Sequence, residues 1–198
     1  MKNKISIIFA ALLLPLLFSC QSLRHPAKKL SRNLIAQGQL SPEELSRFFL
    51  SQNPAFDQNY IYMLACLYYD EALCENINSD LAFAQMCLET GYLNYGNLVQ
   101  PEWHNYCGLG AIDKEHPGEI FESEEVGVRA HIQHLQAYAT KEEVPLVKEL
   151  VDPRYNWVHK TKFVEDIFGL AGSWAADPAY GQKLDSILVK MEESTIRR

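Results

Sequence analysis

The chain has 198 residues, with 25 acidic and 18 basic side chains, so its formal net charge is −7 at neutral pH. This length suits one domain with a substantial core, and no internal repeat indicates a second. The negative charge argues against nucleic acid as a partner, because phosphates attract basic surfaces. We find no motif for a cofactor or a metal, and we predict none.

The first residues are typical of an export signal. Lys2 and Lys4 precede an apolar run from Ile5 to Phe18. This run is shorter than the roughly 20 apolar residues of a membrane span, and it contains Pro15. We therefore predict a signal peptide at residues 1–19 that is cleaved after export.

The sequence Leu17-Phe18-Ser19-Cys20 resembles a bacterial lipobox, which implies that lipid is attached to the sulfur of Cys20. Two or more acyl chains would hold the protein stably on a membrane. Gln21 follows the cysteine, and the usual sorting pattern then favours the outer membrane, facing the periplasm, in a cell with two membranes. The alternative is an ordinary secretory signal with a chance cysteine.

Residues 20–40 contain few large apolar side chains and several basic ones, which is typical of a flexible tether. The predicted domain then covers residues 41–192. Its first helix follows the capping box Ser41-Pro42-Glu43-Glu44 and ends near Asn53. From Gln58 to Leu73 apolar side chains recur on all sides, which predicts a buried central helix.

The third predicted helix begins at Ser79 as its N-cap and ends at Gly91, so that Glu89 lies in its last turn. The helix dipole places partial negative charge there, and the helix is otherwise apolar, so both effects favour a protonated carboxyl group. A glycosidase needs such an acid to protonate its leaving oxygen. The alternative is a solvated glutamate at the edge of a core helix.

Beyond a loop through Trp103, glycines and a proline between residues 105 and 121 predict a small β-hairpin. Ser123 caps a helix to about Thr140, a short helix follows at residues 163–169, and Asp177-Pro178 starts the last helix. The predicted fold class is mainly α, of the α+β kind, with one small β-hairpin.

Four segments carry a resemblance to a known family. AQMCLETGYL, NYCGLGA, FESEEVGVRAHIQHLQAYA and GLAGSWAADPAYGQKL occur in order between residues 41 and 187. They resemble the glucosaminidase family of bacterial cell-wall hydrolases, glycoside hydrolase family 73. The resemblance implies a lysozyme-like fold with the hairpin beside the cleft, Glu89 as general acid, and peptidoglycan glycan strands as substrate.

A glycosidase usually needs a second carboxylate near the acid. Asp113 is our first candidate because it follows Gly110-Ala111-Ile112 directly, with Glu115, Glu119 and Glu122 as others. Each of these is also readily explained as a solvated loop acid. The hairpin is shorter than in long-hairpin members of the family, so an acetamido group of the substrate, steadied by tyrosine or asparagine, is an alternative to the carboxylate. This alternative keeps Tyr180 as a catalytic candidate.

Aromatic faces with a few polar groups are what a sugar cleft requires. By resemblance, Trp174 and Tyr180 line the sugar groove. Further predicted substrate-binding residues flank the acid in sequence: Tyr92, Trp103, Asn105 and Tyr106. For Trp174 and Tyr180, ordinary packing at a helix start is the alternative.

Cys66, Cys74, Cys87 and Cys107 allow three disulfide pairings, which the sequence does not decide. We hypothesise a bridge between Cys87 and Cys107, with small buried thiols as the alternative. The spacing of His131 and His134 allows metal binding, but no accompanying motif supports it, and helix histidines bonded to other residues are favoured. A cysteine peptidase using Cys107 and His131 has no local signature.

The sequence therefore predicts a lipid-anchored endo-β-N-acetylglucosaminidase of peptidoglycan. The rivals are a lytic transglycosylase or muramidase on the same polymer, and a lipoprotein that only binds glycan or a protein partner. The organism, the physiological role, the oligomeric state and any protein partners are not given by the sequence.

Overall fold

The computed structural model describes residues 27–96 and 98–196, so the predicted signal peptide and Cys20 lie outside it. This part of the chain is mainly helical, which confirms the mainly α part of the predicted fold class. The described residues form two 3-10 turns, Pro101–Trp103 and Ile167–Leu170, and six α-helices: α1 (Pro42–Gln52), α2 (Gln58–Cys74), α3 (Ser79–Glu89), α4 (Glu124–Ala139), α5 (Tyr155–Thr161) and α6 (Tyr180–Ser194). None of the described helices is long and apolar enough to cross a membrane.

Most helix starts follow from their caps. Ser41 forms the predicted capping box with Glu44, and Ser123 caps α4 by accepting from the backbone N–H of Val126. The N-cap of α3 is not the predicted residue. Asn78 is the cap, because its side chain accepts from the backbone N–H groups of Asp80 and Leu81, and Ser79 is the first helical residue. Our prediction of Ser79 was therefore one residue late.

The central helix of the fold is α3. Every residue from Ser79 to Cys87 is buried, and α3 packs against α6, α2 and α4. We had predicted α2 as the buried central helix, but Tyr62 and Leu73 are exposed and only one face of α2 is covered. The aromatic residues that suggested burial all round α2 also occupy its outer face.

The predicted β-hairpin is not formed in the described residues between 105 and 121. Backbone hydrogen bonds close turns there, including those from the Ile112 N–H to the His116 carbonyl and from the Glu119 N–H to the Leu109 carbonyl. A regular ladder does not develop, because Pro117 has no N–H to donate and Gly110 and Gly118 have positive φ angles.

The C-terminal region also departs from prediction. The helix predicted at residues 163–169 is not formed, and the 3-10 turn Ile167–Leu170, capped by the side chain of Asp166, overlaps that range. The short helix that does form, α5, lies before it. The last helix begins two residues beyond Pro178. A turn from Asp177 to Ala179 places Tyr180 as the first residue of α6.

Residues 27–40, which we call the N-terminal arm, are packed on the domain. Leu30, Leu34 and Leu40 are fully buried in the main core. The arm's backbone pairs with neighbours on both sides, since the Leu34 N–H donates to Glu165 and the Leu34 carbonyl accepts from Asn78. This part of the expected flexible tether is therefore an ordered segment of the structure, because its three leucines add to the core.

Candidate active site

Glu89 is the last residue of α3, and the helix ends immediately after it in a Schellman motif. Gly91 has a φ of +56° and donates to the Leu88 carbonyl, while the Tyr92 N–H donates to the Cys87 carbonyl. The predicted C-terminal glycine is thereby confirmed. This ending turns the chain sharply, so that the Glu89 side chain lies at a surface cavity.

One carboxyl oxygen of Glu89 receives two hydrogen bonds from distant parts of the chain. The indole Nε1 of Trp174 donates to Oε1 at 3.1 Å, and the hydroxyl of Tyr180 donates to the same atom. Oε2 makes no hydrogen bond to the described residues. The two oxygens are therefore inequivalent, with one fixed by donors and the other free to meet a substrate.

Burial raises the pKa of Glu89, although the hydrogen bonds from Tyr180 and Trp174 act in the opposite direction by stabilising the carboxylate. The direction agrees with the prediction of a protonated acid. Cys107 also faces Glu89, and burial raises the pKa of its thiol well above the ordinary value. The thiol is thus neutral and adds no charge to the site.

The cavity beside Glu89 has a volume of about 240 Å³. It lies between the end of α3, the loop after it, and the segment that carries Trp174. Its walls combine apolar side chains with a few polar groups, and its lining residues are Glu89, Thr90, Tyr95, Leu98, Val99, Asn105, Cys107, Gly108, Ala111, Trp174 and Ala175. Such a lining suits a pyranose ring, which presents both apolar faces and hydroxyl groups.

Trp174 is held by rings of α4. His134 and Tyr138 contact its indole at centroid distances of 5.0 and 5.5 Å, and Tyr138 donates to the carbonyl of Ser173. His134 is paired in turn with the buried carboxylate of Asp152 at 2.7 Å. The ring that walls the cavity and donates to Glu89 is therefore fixed on its far side.

Asp113, the first candidate for a second carboxylate, lies on the exposed turn. It accepts from the backbone N–H groups of Glu115 and His116, and these bonds with the His116 side chain lower its pKa. Its side chain is 56% exposed. Within the described residues, the cavity lining contains no carboxylate except Glu89, so the structure does not bring Asp113 beside the acid.

The predicted substrate-binding residues divide into two groups. Trp174 and Asn105 line the cavity, although Asn105 uses its amide to hold the loop through the carbonyls of Leu109 and Glu119. The second group lies outside the cavity lining. It includes Tyr92, which packs against Phe48 and Phe49 of α1.

Tyr106 and Trp103 also lie outside the lining. Tyr106 is buried, with its hydroxyl 3.0 Å from that of Tyr60. Trp103 ends the 3-10 turn and is half-buried. Contacts within the protein therefore account for the aromatic rings of Tyr92 and Tyr106, and no bound sugar is needed to explain them.

Tyr180 is buried beneath Glu89 and does not line the cavity. Its hydroxyl donates to Glu89 and accepts from the side-chain amide of Gln85 at 2.8 Å. The structure therefore places Tyr180 in contact with Glu89. Its hydroxyl is hydrogen-bonded to Glu89 and Gln85 and does not face the cavity.

Sequence reasoning missed Gln85 and Tyr95. Gln85 lies four residues before Glu89 and is therefore on the same helix face, so a lone amide in an apolar helix was a usable signal. Tyr95 lines the cavity through a left-handed backbone with φ +54°, which no local pattern indicates.

Among the described residues, the cysteines form no disulfide and the histidines of α4 share no site. All four described cysteines are free thiols, and Cys87 and Cys107 are buried in separate apolar clusters, so the hypothesised bridge between them is absent. His131 bonds to Tyr68 and Gln85, whereas His134 bonds to Asp152. The two histidines thus have separate partners, as expected for helix histidines bonded within the protein.

Comparison with known proteins agrees with this site. The sequence model of a family described as mannosyl-glycoprotein endo-β-N-acetylglucosaminidase (glucosaminidase) matches residues 65–193. The chain belongs to the glucosaminidase family. The match includes Glu89 at the end of α3 and both of its hydrogen-bond donors, Trp174 and Tyr180. Membership supports a glycosidase that degrades peptidoglycan.

The chain is also similar to an uncharacterized protein of Borreliella burgdorferi. The two are 41% identical over 160 residues, which cover 81% of this glucosaminidase and 77% of the relative. No solved structure matches the chain.

Proposed function

We propose that this glucosaminidase is an endo-β-N-acetylglucosaminidase that cleaves β-1,4 bonds of the peptidoglycan glycan, with Glu89 as its general acid. The observation that carries the proposal is the inequivalence of the two Glu89 oxygens. With Oε1 accepting from Trp174 and Tyr180, the proton of the acid form belongs on Oε2. That oxygen is the one free to meet the bridging oxygen of a bound sugar.

Catalysis begins when the Oε2 proton passes to the bridging oxygen as the bond from that oxygen to the anomeric carbon breaks. The positive charge that develops on the sugar ring needs a neighbouring electron pair. Because the cavity lining among the described residues has no second carboxylate, we propose that the acetamido oxygen of the substrate bonds to the anomeric carbon. Water then opens this intermediate and returns a proton to Glu89.

Asp113 remains the alternative partner if the turn approaches the cavity when glycan binds. It makes its present bonds only to its own turn, so movement of that turn would not break contacts with the core. The acetamido mechanism predicts that Asp113→Asn retains most activity, whereas a direct role predicts a large loss.

The deciding experiment compares wild type, Glu89→Gln and Asp113→Asn on purified peptidoglycan, using the fragment that starts at Pro26. Glu89→Gln keeps an acceptor for Trp174 and Tyr180 but has no acidic proton, so we expect a loss of about 10²–10⁴-fold in kcat. New sugar ends are reduced with borohydride and identified by mass spectrometry. Glu142→Gln, an exposed acid after α4, is the control for an unrelated charge change.

Each set of products has one interpretation. Reduced N-acetylglucosamine ends from wild type support the proposal, whereas muramic or anhydromuramic ends indicate a muramidase or a lytic transglycosylase. Binding without new ends in any protein indicates a lipoprotein that only binds glycan. Substantial turnover by a well-folded Glu89→Gln protein would refute Glu89 as the acid.

We further propose that the glucosaminidase is exported and anchored by lipid at Cys20. The packing of the arm supports a defined orientation for such an anchor. The arm contacts the N-terminal end of α3 and the C-terminal turns of α6, whereas Glu89 and Tyr180 lie at the opposite ends of these helices. The cleft of an anchored enzyme would therefore face away from the membrane. Labelling with radioactive palmitate, lost in Cys20→Ser, tests the anchor.

A further inference from the structure

A row of hydrogen bonds runs from the core to the acid, through side chains on four different elements. The hydroxyl of Tyr68 on α2 is 2.9 Å from Nδ1 of His131 on α4. Nε2 of His131 is 3.1 Å from the Oε1 of Gln85 on α3. The Gln85 amide nitrogen is 2.8 Å from the hydroxyl of Tyr180 on α6, which contacts Glu89.

Each group in this row has only one arrangement of hydrogens that satisfies all of its partners. The Tyr180 hydroxyl has one proton, and the Glu89 oxygen beside it accepts, so the Tyr180 oxygen must accept from the Gln85 amide. The Gln85 carbonyl oxygen then faces His131, whose Nε2 must carry the proton. Nδ1 is left as an acceptor for the Tyr68 hydroxyl.

We propose that Gln85, His131 and Tyr68 are positioning residues that direct the Tyr180 hydroxyl onto Oε1 of Glu89 and so keep the reactive proton on Oε2. This inference rests on the proposed role of Glu89 as general acid. None of the three lines the cavity. They are hydrogen-bonded to Glu89 through Tyr180, and His131 also contacts the Trp174 ring at a centroid distance of 5.8 Å. We call this row, from Tyr68 to Tyr180, the acid-positioning chain.

Burial of the acid-positioning chain fixes the donor and acceptor of each of its hydrogen bonds. Tyr68, Gln85 and His131 have no exposed surface, so water does not offer alternative partners. Burial, with the nearby His134, lowers the pKa of His131 to about 3, and the imidazole therefore stays neutral with a single N–H. A neutral ring cannot donate from both nitrogens, and reversing one bond would leave a buried polar atom unpaired.

Few titratable groups face the two ends of the chain. Glu89 meets Tyr180 from α6 and Cys107 from the loop, and burial raises the pKa of both well above the ordinary values. His131 meets Tyr68 from α2 and His134 from its own helix, and burial also raises the pKa of Tyr68. Because Tyr180 and Cys107 stay neutral, the donors to Oε1 are the main influence that offsets the burial of Glu89.

Replacing Gln85 with methionine removes two bonds of the chain and keeps a side chain of similar length. Tyr180 then loses its donor and its fixed orientation, and the carboxylate of Glu89 is less stabilised. We expect kcat to fall about tenfold, the equivalent of one lost hydrogen bond, with KM changed less than about twofold. Because the pKa of Glu89 rises, the alkaline limb of the kcat profile should move to higher pH.

A glutamine of α4 outside the acid-positioning chain provides a matched control. Gln136 is also buried, and its amide accepts from the hydroxyl of Tyr155, away from Glu89. Gln136→Met therefore has the same chemistry and a comparable cost in stability, but should leave kcat and its pH profile unchanged. If Gln85→Met does not fold, the pair Tyr68→Phe and Tyr155→Phe makes the same comparison with loss of a single oxygen.

A second measurement needs no activity. The ¹⁵N chemical shifts of His131, identified by its loss in His131→Asn, report which ring nitrogen carries the proton. We expect the Nε2–H form without titration between about pH 5 and pH 8, since its pKa is far below this range. An Nδ1–H form of His131, or titration near the ordinary histidine pKa, would refute the proposed acid-positioning chain.

The kinetic outcomes are equally separate. Equal kcat values for Gln85→Met and Gln136→Met would overturn the positioning role, as would a fall in kcat without movement of the alkaline limb. If the wild-type protein releases no glycan fragments, the proposed function fails, while the histidine spectrum still decides whether the chain exists.

Discussion

At the scale of single residues, Glu89 is subject to two opposed influences. Burial disfavours its ionised form, and the two donors on Oε1 favour it, with burial the stronger. A general acid benefits from this balance, because its pKa lies nearer the working pH than that of a solvated carboxyl group. The same balance has a cost in stability.

The sign of that cost follows from proton linkage. Between the unfolded pKa of glutamate, about 4.3, and the higher folded value, the native state binds more protons, so stability falls as pH rises through this window. Glu89→Gln cannot ionise. We expect its free energy of unfolding, relative to wild type, to be higher at about pH 8 than at about pH 4, as measured by urea denaturation.

All other titrating groups are common to the two proteins, so the difference isolates Glu89. Glu115→Gln, an exposed position on the turn, is the control and should show no such trend. A constant difference between wild type and Glu89→Gln over this range would contradict a raised pKa.

At the scale of elements, the end of α3 decides where the acid lies. Gly91 holds a left-handed backbone in which a Cβ atom would meet nothing within 4 Å, so an added side chain has a conformational cost and no clash. The bonds from Gly91 and Tyr92 to the helix end depend on that conformation. The position of Glu89 therefore depends on a glycine two residues away.

Gly91→Ala should lower the free energy of unfolding by about 1–2 kcal/mol, the cost of the left-handed region for an ordinary residue. Gly91→Asn should cost less, because asparagine tolerates this conformation. Urea denaturation measures both, and kcat should follow the same order, since the helix end carries the acid. Equal stability of the alanine and wild-type proteins would contradict the motif.

At the scale of the whole molecule, the N-terminal arm is part of the fold. Arg32 bridges Asp185 and Glu192 of α6, and the Asp80 carboxylate of α3 accepts from the backbone N–H groups of Gln39 and Leu40. These contacts join the arm to the two helices that present Glu89 and Tyr180. The arm thus supports the site from the far end of its scaffold.

We expect a fragment that starts at Ser41 to be much less stable than one that starts at Pro26. Burying a leucine contributes about 1.5–3 kcal/mol, and the shorter fragment lacks Leu30, Leu34 and Leu40. Urea denaturation of the two fragments provides the comparison. Equal midpoints would show that the arm is only a tether, and Ile35→Ser, an exposed arm position, controls for changes in the segment itself.

Local chemistry determined what the sequence could predict. Caps and apolar periodicity placed α1, α2 and α4 to within a residue or two, and Gly91 and the apolar helix before it identified Glu89. These signals lie within a few residues of the feature they specify. The family followed from four such segments in order.

Only the tertiary structure decided which partners Glu89 has. The bonds of the acid-positioning chain join residues 46 to 95 positions apart, so they exist only after α2, α3, α4 and α6 have packed. Packing also placed Tyr106 in the core and Tyr92 against it, left Asp113 on an exposed turn, and drew residues 27–40 onto the domain. Composition gives these residues their chemistry, but burial and distance, which depend on the whole chain, determine how that chemistry is used.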